Sequence, residues 1–180
     1  MHEKPRISVR CLAFFLNAII MIMHNSLTEY LKAYIAAFRA AQLWFHSAHN
    51  VVRGAGFAGD HVLLYGEIYQ AFQNDIDAII EKAIGLTGEE SMACPISITQ
   101  DALTIMESYT EPWRLDALSL AAMGENFIRD FLKLSTEMFN DLEAAGELSL
   151  GLNDFIMAHA NKYETYVYLL GQRVKTELGN

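Results

Sequence analysis

HSAHNVVRGAGFAGDHVLLYGEIYQAFQNDIDAIIE, residues 46–81, decides how the chain folds. It begins in the last turn of one apolar-striped segment and crosses a corner holding Gly54, Gly56 and Gly59. It then continues with Leu64, Ile68, Ala71, Phe72, Ile76 and Ile79 at the spacing of a helix buried on one side. Glycines gather where a helix must break, so the stretch predicts helix, corner, helix. It also holds the densest set of metal-ligating side chains in the chain: His46, His49, His61, Asp77 and Glu81.

Working outward, Ser26 to His49 predicts the first helix, with Ser26 as N-cap and Glu29 completing a capping box. Leu27, Leu31, Tyr34, Ile35, Phe38, Ala41 and Phe45 form its stripe. The second helix is expected from Asp60, read as its cap, to Ile84, ending at Gly85 and Gly88. Between Thr87 and Thr110 lies a long connection with Pro95 and a short helical piece over Thr99 to Tyr109. A third helix is expected after Glu111-Pro112 up to Ala145, and a fourth from Ser149 to Lys175. No strand alternation competes anywhere. The prediction is an all-α four-helix bundle with a short crossover helix between helices two and three, an arrangement typical of ferritin-like bundles.

At 180 residues, with 52% hydrophobic and 19% charged residues, the chain can bury a substantial core. We divide it into a bundle over residues 25–178 and an N-terminal extension over residues 1–24. The extension is basic up to Arg10 and apolar from Cys11 to Met23, CLAFFLNAIIMIM. It reads in three ways: residues before an alternative start at Met21 or Met23, a targeting or anchoring segment, or an extra packed helix. The apolar run is short for a membrane span and no small-x-small cleavage site follows it. Residues 11–23 are thus the one route by which a membrane enters the reading. A net charge of −9 with 13 basic residues argues against a nucleic-acid footprint. Cys11 and Cys94, far apart in sequence, read as free thiols of a reducing, cytoplasmic protein.

Asp77 and Glu81, four apart, present two carboxylates one turn apart on one helix face. His49 and His61 bracket the glycine corner. Two imidazoles and two carboxylates suit a ferrous ion, because mixed nitrogen and oxygen ligation with open positions lets non-haem iron meet its oxidant. The same residues also read as surface acids and as histidines at helix ends. His46 and His49, three apart, form a weaker candidate pair. A di-iron site within one bundle needs Glu-x-x-His on two helices, and the chain has none. There is no G-x-S-x-G, P-loop or dinucleotide fingerprint. Tyr65, Tyr69, Tyr163, Tyr166 and Tyr168 read as packing, with Trp44 or Tyr65 as candidate quenchers of oxidising equivalents.

His49 and His61 separated by eleven residues, Arg53-Gly54-Ala55 in the corner, IDAIIEKAIGL and the last-helix run AHANKYETYVYLLGQRV together resemble the Dps mini-ferritins. The resemblance spans residues 27 to 175. It implies a dodecameric hollow shell built from dimers, a homo-oligomer that oxidises Fe(II), with peroxide preferred to oxygen, and stores ferric mineral. It implies iron as the bound metal and a ferroxidase site between two subunits, with His49 and His61 from one and Asp77 and Glu81 from its two-fold mate. Asp154 resembles an acid near a three-fold pore. The alternative is a non-catalytic, structural or interaction protein of the same fold with a degenerate site. Four departures bear on this. Tyr65 stands where the family commonly has an Asp, so Glu67 or water would have to substitute. His61 to Asp77 is one residue longer than usual, which rotates a regular helix by about 100° unless a π-bulge near Gly66 absorbs it. Asn50 stands where the family often has Trp. The lysine-rich tail is missing, which argues against DNA binding.

Overall fold

The computed structural model describes residues 26–177. Residues 1–24, with the expectations placed on them, lie outside that range. Helix α1 spans Leu27–Val51, a π-helical segment spans Asp60–Gly66, and α2 continues it over Glu67–Thr87. Helix α3 spans Pro95–Met106, α4 Ala117–Ala145 and α5 Leu150–Glu177. Among the described residues there is no strand. The architecture is the all-α ferritin-like bundle, with α3 as the crossover helix packed on α1.

The element ends show which sequence signals act. Pro95 opens α3 at the first turn, where its missing N–H costs nothing, so the crossover helix starts four residues before Thr99. Pro112 opens only a 3₁₀ turn, Pro112–Arg114, and α4 is capped instead by Asp116, whose carboxylate accepts from the Ser119 amide at 2.7 Å. Ser26 does stand at the N-cap of α1, but its hydroxyl makes no cap bond. Glu29 pairs with Lys32 at 3.8 Å instead of closing a box. Ser149 caps α5, accepting from Leu152 N at 3.1 Å. Gly88, at φ 72°, takes the left-handed turn that stops α2.

The core is aromatic. Phe38, Phe72, Phe131 and Tyr163, one from each long helix, are fully buried and in mutual ring contact. Edge-to-face contacts such as Phe38 on Phe131, at 4.9 Å between centroids, add directionality to burial that contributes about 2–3 kcal/mol per ring. Leu31, Ile35, Ile68, Ile79, Leu120 and Leu170 fill in around them. Trp44 is buried on Phe45 and Phe127 with its indole N–H on Thr110 O at 3.2 Å, and Tyr65 is 1% exposed. Tyr168 is the exception among the tyrosines and is exposed.

Candidate metal centre

The α1–α2 corner brings His49 and His61 face to face. Their rings stack at 3.8 Å between centroids and 16° between planes. His49 Nδ1 lies 2.6 Å from the main-chain oxygen of His61, and His61 Nδ1 lies 2.7 Å from the main-chain oxygen of His49. A carbonyl oxygen only accepts, so each Nδ1 donates, and the neutral form of either ring carries its lone pair on Nε2. Among the described residues neither Nε2 has a hydrogen-bond partner. Main-chain anchoring of one ring nitrogen is the arrangement that fixes tautomer and ring direction in metal-ligating histidines.

The π segment makes this exchange feasible. Asp60–Gly66 winds as a π-helix, with a wider turn than the α-helix, and α2 takes up regular geometry from Glu67. Gly66 stands at the point of closest approach. A Cβ there would sit 2.8 Å from His61 O and 3.4 Å from His49 Nδ1. A side chain at position 66 would therefore push into the His49–His61 contact. Asp60, expected to cap this helix, lies inside the π segment and bonds Arg173 of α5 instead, with Nε donating at 2.8 Å. Both side chains are mostly buried, so this ion pair pins the corner to the end of α5. It escapes the sequence because its partners are 113 positions apart.

The neighbours of the imidazoles are aromatic and apolar. Phe57 stacks on His61 at 5.1 Å, and Tyr69 lies 5.0 Å from His49 and 4.7 Å from His46. Phe57, Val62 and Leu63 are 48%, 56% and 69% exposed, an apolar rim beside the histidines. His46 is exposed, with its ring 6.4 Å from that of His49. Asn50 is also exposed and donates to His46 O at 2.9 Å.

Asp77 and Glu81 are exposed on α2, away from this corner. Ile76 and Ile79 turn inward, so the isoleucines beside the acids in sequence leave the carboxylates in water. Neither acid makes an ion pair or side-chain hydrogen bond among the described residues. Sixteen positions separate His61 from Asp77, about 24 Å of helix rise. One chain therefore does not bring imidazoles and acids together, and among its described residues no three His, Cys, Asp or Glu side chains are grouped to hold a metal. Tyr65 points into the core, where burial, reinforced by the nearby Asp60 carboxylate, pushes its phenol well above the ordinary value. It offers no replacement for a carboxylate. Glu67 and Asp154 are exposed.

Sequence reading missed Asp75. It is 8% exposed and faces α5, accepting from Lys162 Nζ at 2.8 Å on each oxygen and from Tyr163 Oη at 2.6 Å. His159 Nε2 lies 3.2 Å from it, while His159 Nδ1 donates to Phe155 O at 2.6 Å. Burial alone would raise the carboxyl's pKa, but the hydrogen bonds from His159, Lys162 and Tyr163 outweigh it and hold it at about 2. Cys94 is a free, half-buried thiol at the start of α3, held below its ordinary pKa by hydrogen bonds from Ser97 and Ile96.

No family model matches the sequence, and no curated protein is significantly similar to it. Among solved structures, the tetragonal form of Dps from Mycobacterium smegmatis is similar to it, with a TM-score of 0.65 and 16% sequence identity. The match covers 94% of this chain and 92% of that one. At that identity the likeness speaks for the fold, and it agrees with the helix order and the crossover helix described above. The chain has a divergent, Dps-like version of the ferritin-like fold.

Proposed function

We propose that the protein is a cytoplasmic iron-binding homo-oligomer that oxidises Fe(II) and sequesters the ferric product. Its metal centre is shared between two copies: His49 and His61 of one and Asp77 and Glu81 of the other. Iron here is substrate and cargo. The observation that carries the reading is the pair of reciprocal Nδ1-to-carbonyl bonds, which leaves the Nε2 of each ring without a partner among the described residues. The exposed rim of Phe57, Val62 and Leu63 supports an identical subunit covering this corner. The separation of the acids from the histidines along α2 requires that second subunit, because helix rise keeps them apart within a chain. A dodecameric shell with peroxide as preferred oxidant is the assembly and chemistry that the Dps likeness suggests. DNA is not among the proposed partners, given the net charge of −9. Among the described residues no helix is long and apolar enough to cross a membrane.

Ferrous loading followed by size exclusion and metal analysis tests shell and site together. The expected result is iron co-eluting with an oligomer, and ferrous oxidation that falls sharply in His61→Ala and in Glu81→Ala. Normal turnover in both variants would remove these residues as ligands. The second reading, a ferritin-like structural or interaction protein with a decayed site, draws on one observation: the position expected to hold an Asp carries the core tyrosine Tyr65. It predicts an oligomer without iron uptake.

A further inference from the structure

Helix α2 follows directly on the π segment and carries a wide apolar stripe. The π segment inserts a residue ahead of it, and the apolar side chains that follow do not define a narrow face. At 100° per residue, Ile68, Phe72, Ile76, Ile79, Ile80, Ala83 and Ile84 spread over about 160° of the helix circumference. Ile80 and Ile84 are only half-buried, so apolar burial alone would draw α2 round until those two went deeper. Such a turn would carry Asp77, which borders the same flank of the stripe, towards the core.

Asp75 lies on the other flank, beside Ile68 and Ile79, and is the buried carboxylate of α2. Its two oxygens accept from Lys162 and Tyr163, and His159 stands beside them. All three partners come from α5. Hydrogen bonds are directional where apolar contact is not, and a buried carboxylate that loses its donors is heavily penalised. Asp75 and Asp77 are two residues apart, about 200° around the helix, so whatever holds one inward holds the other outward.

We propose that Asp75 is a positioning residue: its bonds to Lys162 and Tyr163 set the rotation of α2 after the π segment and thereby aim Asp77 and Glu81 outward to the partner subunit. The aiming role rests on the shared metal centre proposed above; the rotational role does not. Ile80 and Ile84 stay half-buried because the α5 tie overrides the apolar preference.

Two readouts test this. The first is metal-free: in a chain with Cys11 and Cys94 changed to Ser, Asp77→Cys is labelled with a maleimide, with and without Asp75→Ala. The second is Co(II) titration of the protein with native Asp77 and Glu81, again with and without Asp75→Ala. Labelling should slow several-fold in the Asp75→Ala background. Co(II) affinity should fall about tenfold, the usual cost of losing a residue that orients a ligand. Asp75→Asn, which keeps an oxygen for both donors, should restore most of each. If Asp75→Ala does not fold, Lys162→Met combined with Tyr163→Phe removes the same bonds. Unchanged labelling in a folded variant overturns the proposal whether or not the protein binds Co(II). Slowed labelling with unchanged Co(II) affinity overturns the aiming role. Slowed labelling in a protein that never binds Co(II) upholds the rotational role and overturns the metal-centre reading with the aiming role it supports.

Discussion

His49 and His61 hold each other: each ring's Nδ1 donates to the other residue's main-chain carbonyl, at 2.6 Å and 2.7 Å, and the rings lie stacked between those bonds. Neither ring can swing away without giving up its own bond to the other residue's main chain. The corner is thus organised before any ligand arrives, and what it leaves available is a pair of Nε2 lone pairs.

Gly66 is the residue on which that mutual anchor depends. A Cβ at position 66 meets His61 O at 2.8 Å, too close for the backbone oxygen to stay where His49 needs it. Gly66→Ala should therefore destabilise the protein by about 1–3 kcal/mol, as overpacking against backbone does. It should also weaken Co(II) or Fe(II) binding. Urea unfolding and metal titration check both effects, and an Ala variant with native stability and affinity would contradict the role assigned to the glycine.

Acid should act through Asp75. Its folded pKa of about 2 lies below the ordinary carboxylate value, so the folded chain binds this proton less readily than the unfolded one. Its contribution is complete above about pH 4 and is lost as the pH falls towards 2. The size is roughly 2 kcal/mol at neutral pH by linkage. Urea unfolding between pH 5 and 2, a window set by linkage at roughly those limits, should show a steeper loss in wild type than in Asp75→Asn.

Tyr65→Asp should not rebuild a richer metal centre. The side chain at position 65 lies in the core, 1% exposed, with the Asp60 carboxylate nearby. A second carboxylate placed there is buried without a partner of its own, at a cost of about 3–5 kcal/mol. The expected outcome is a lower urea midpoint with no gain in ferrous oxidation.

Much of the fold could be read directly. Apolar periodicity gave four long helices, Gly88 and Gly146 marked two ends, and the resemblance raised a π-bulge near Gly66 as one of two outcomes, where the π segment Asp60–Gly66 is found. The misreadings were of two kinds. Ser26 and Asp60 carry cap chemistry, but a side chain's partner depends on what the fold brings near, and Arg173 reached Asp60 first. Asp75 sits in the polar run Gln73-Asn74-Asp75, which looks like a solvated face. Its burial follows from where α5 lies, and periodicity carries no information about that. At the candidate centre, the corner and the bracketing of it by His49 and His61 were legible. The reciprocal main-chain bonds were not, because they depend on how closely the last turn of α1 and the π segment approach across the corner.

Complementation measures directly the proposed sharing of one metal centre between two subunits. His61→Ala and Glu81→Ala proteins, each inactive in ferrous oxidation, are unfolded together and co-assembled. In a two-fold dimer of one with the other, one site inherits both lesions and the second inherits neither. Random pairing should therefore return about a quarter of wild-type activity from two inactive parents. Activity that stays at the level of the separate variants, in mixed oligomers shown to contain both chains, would contradict a centre shared between subunits.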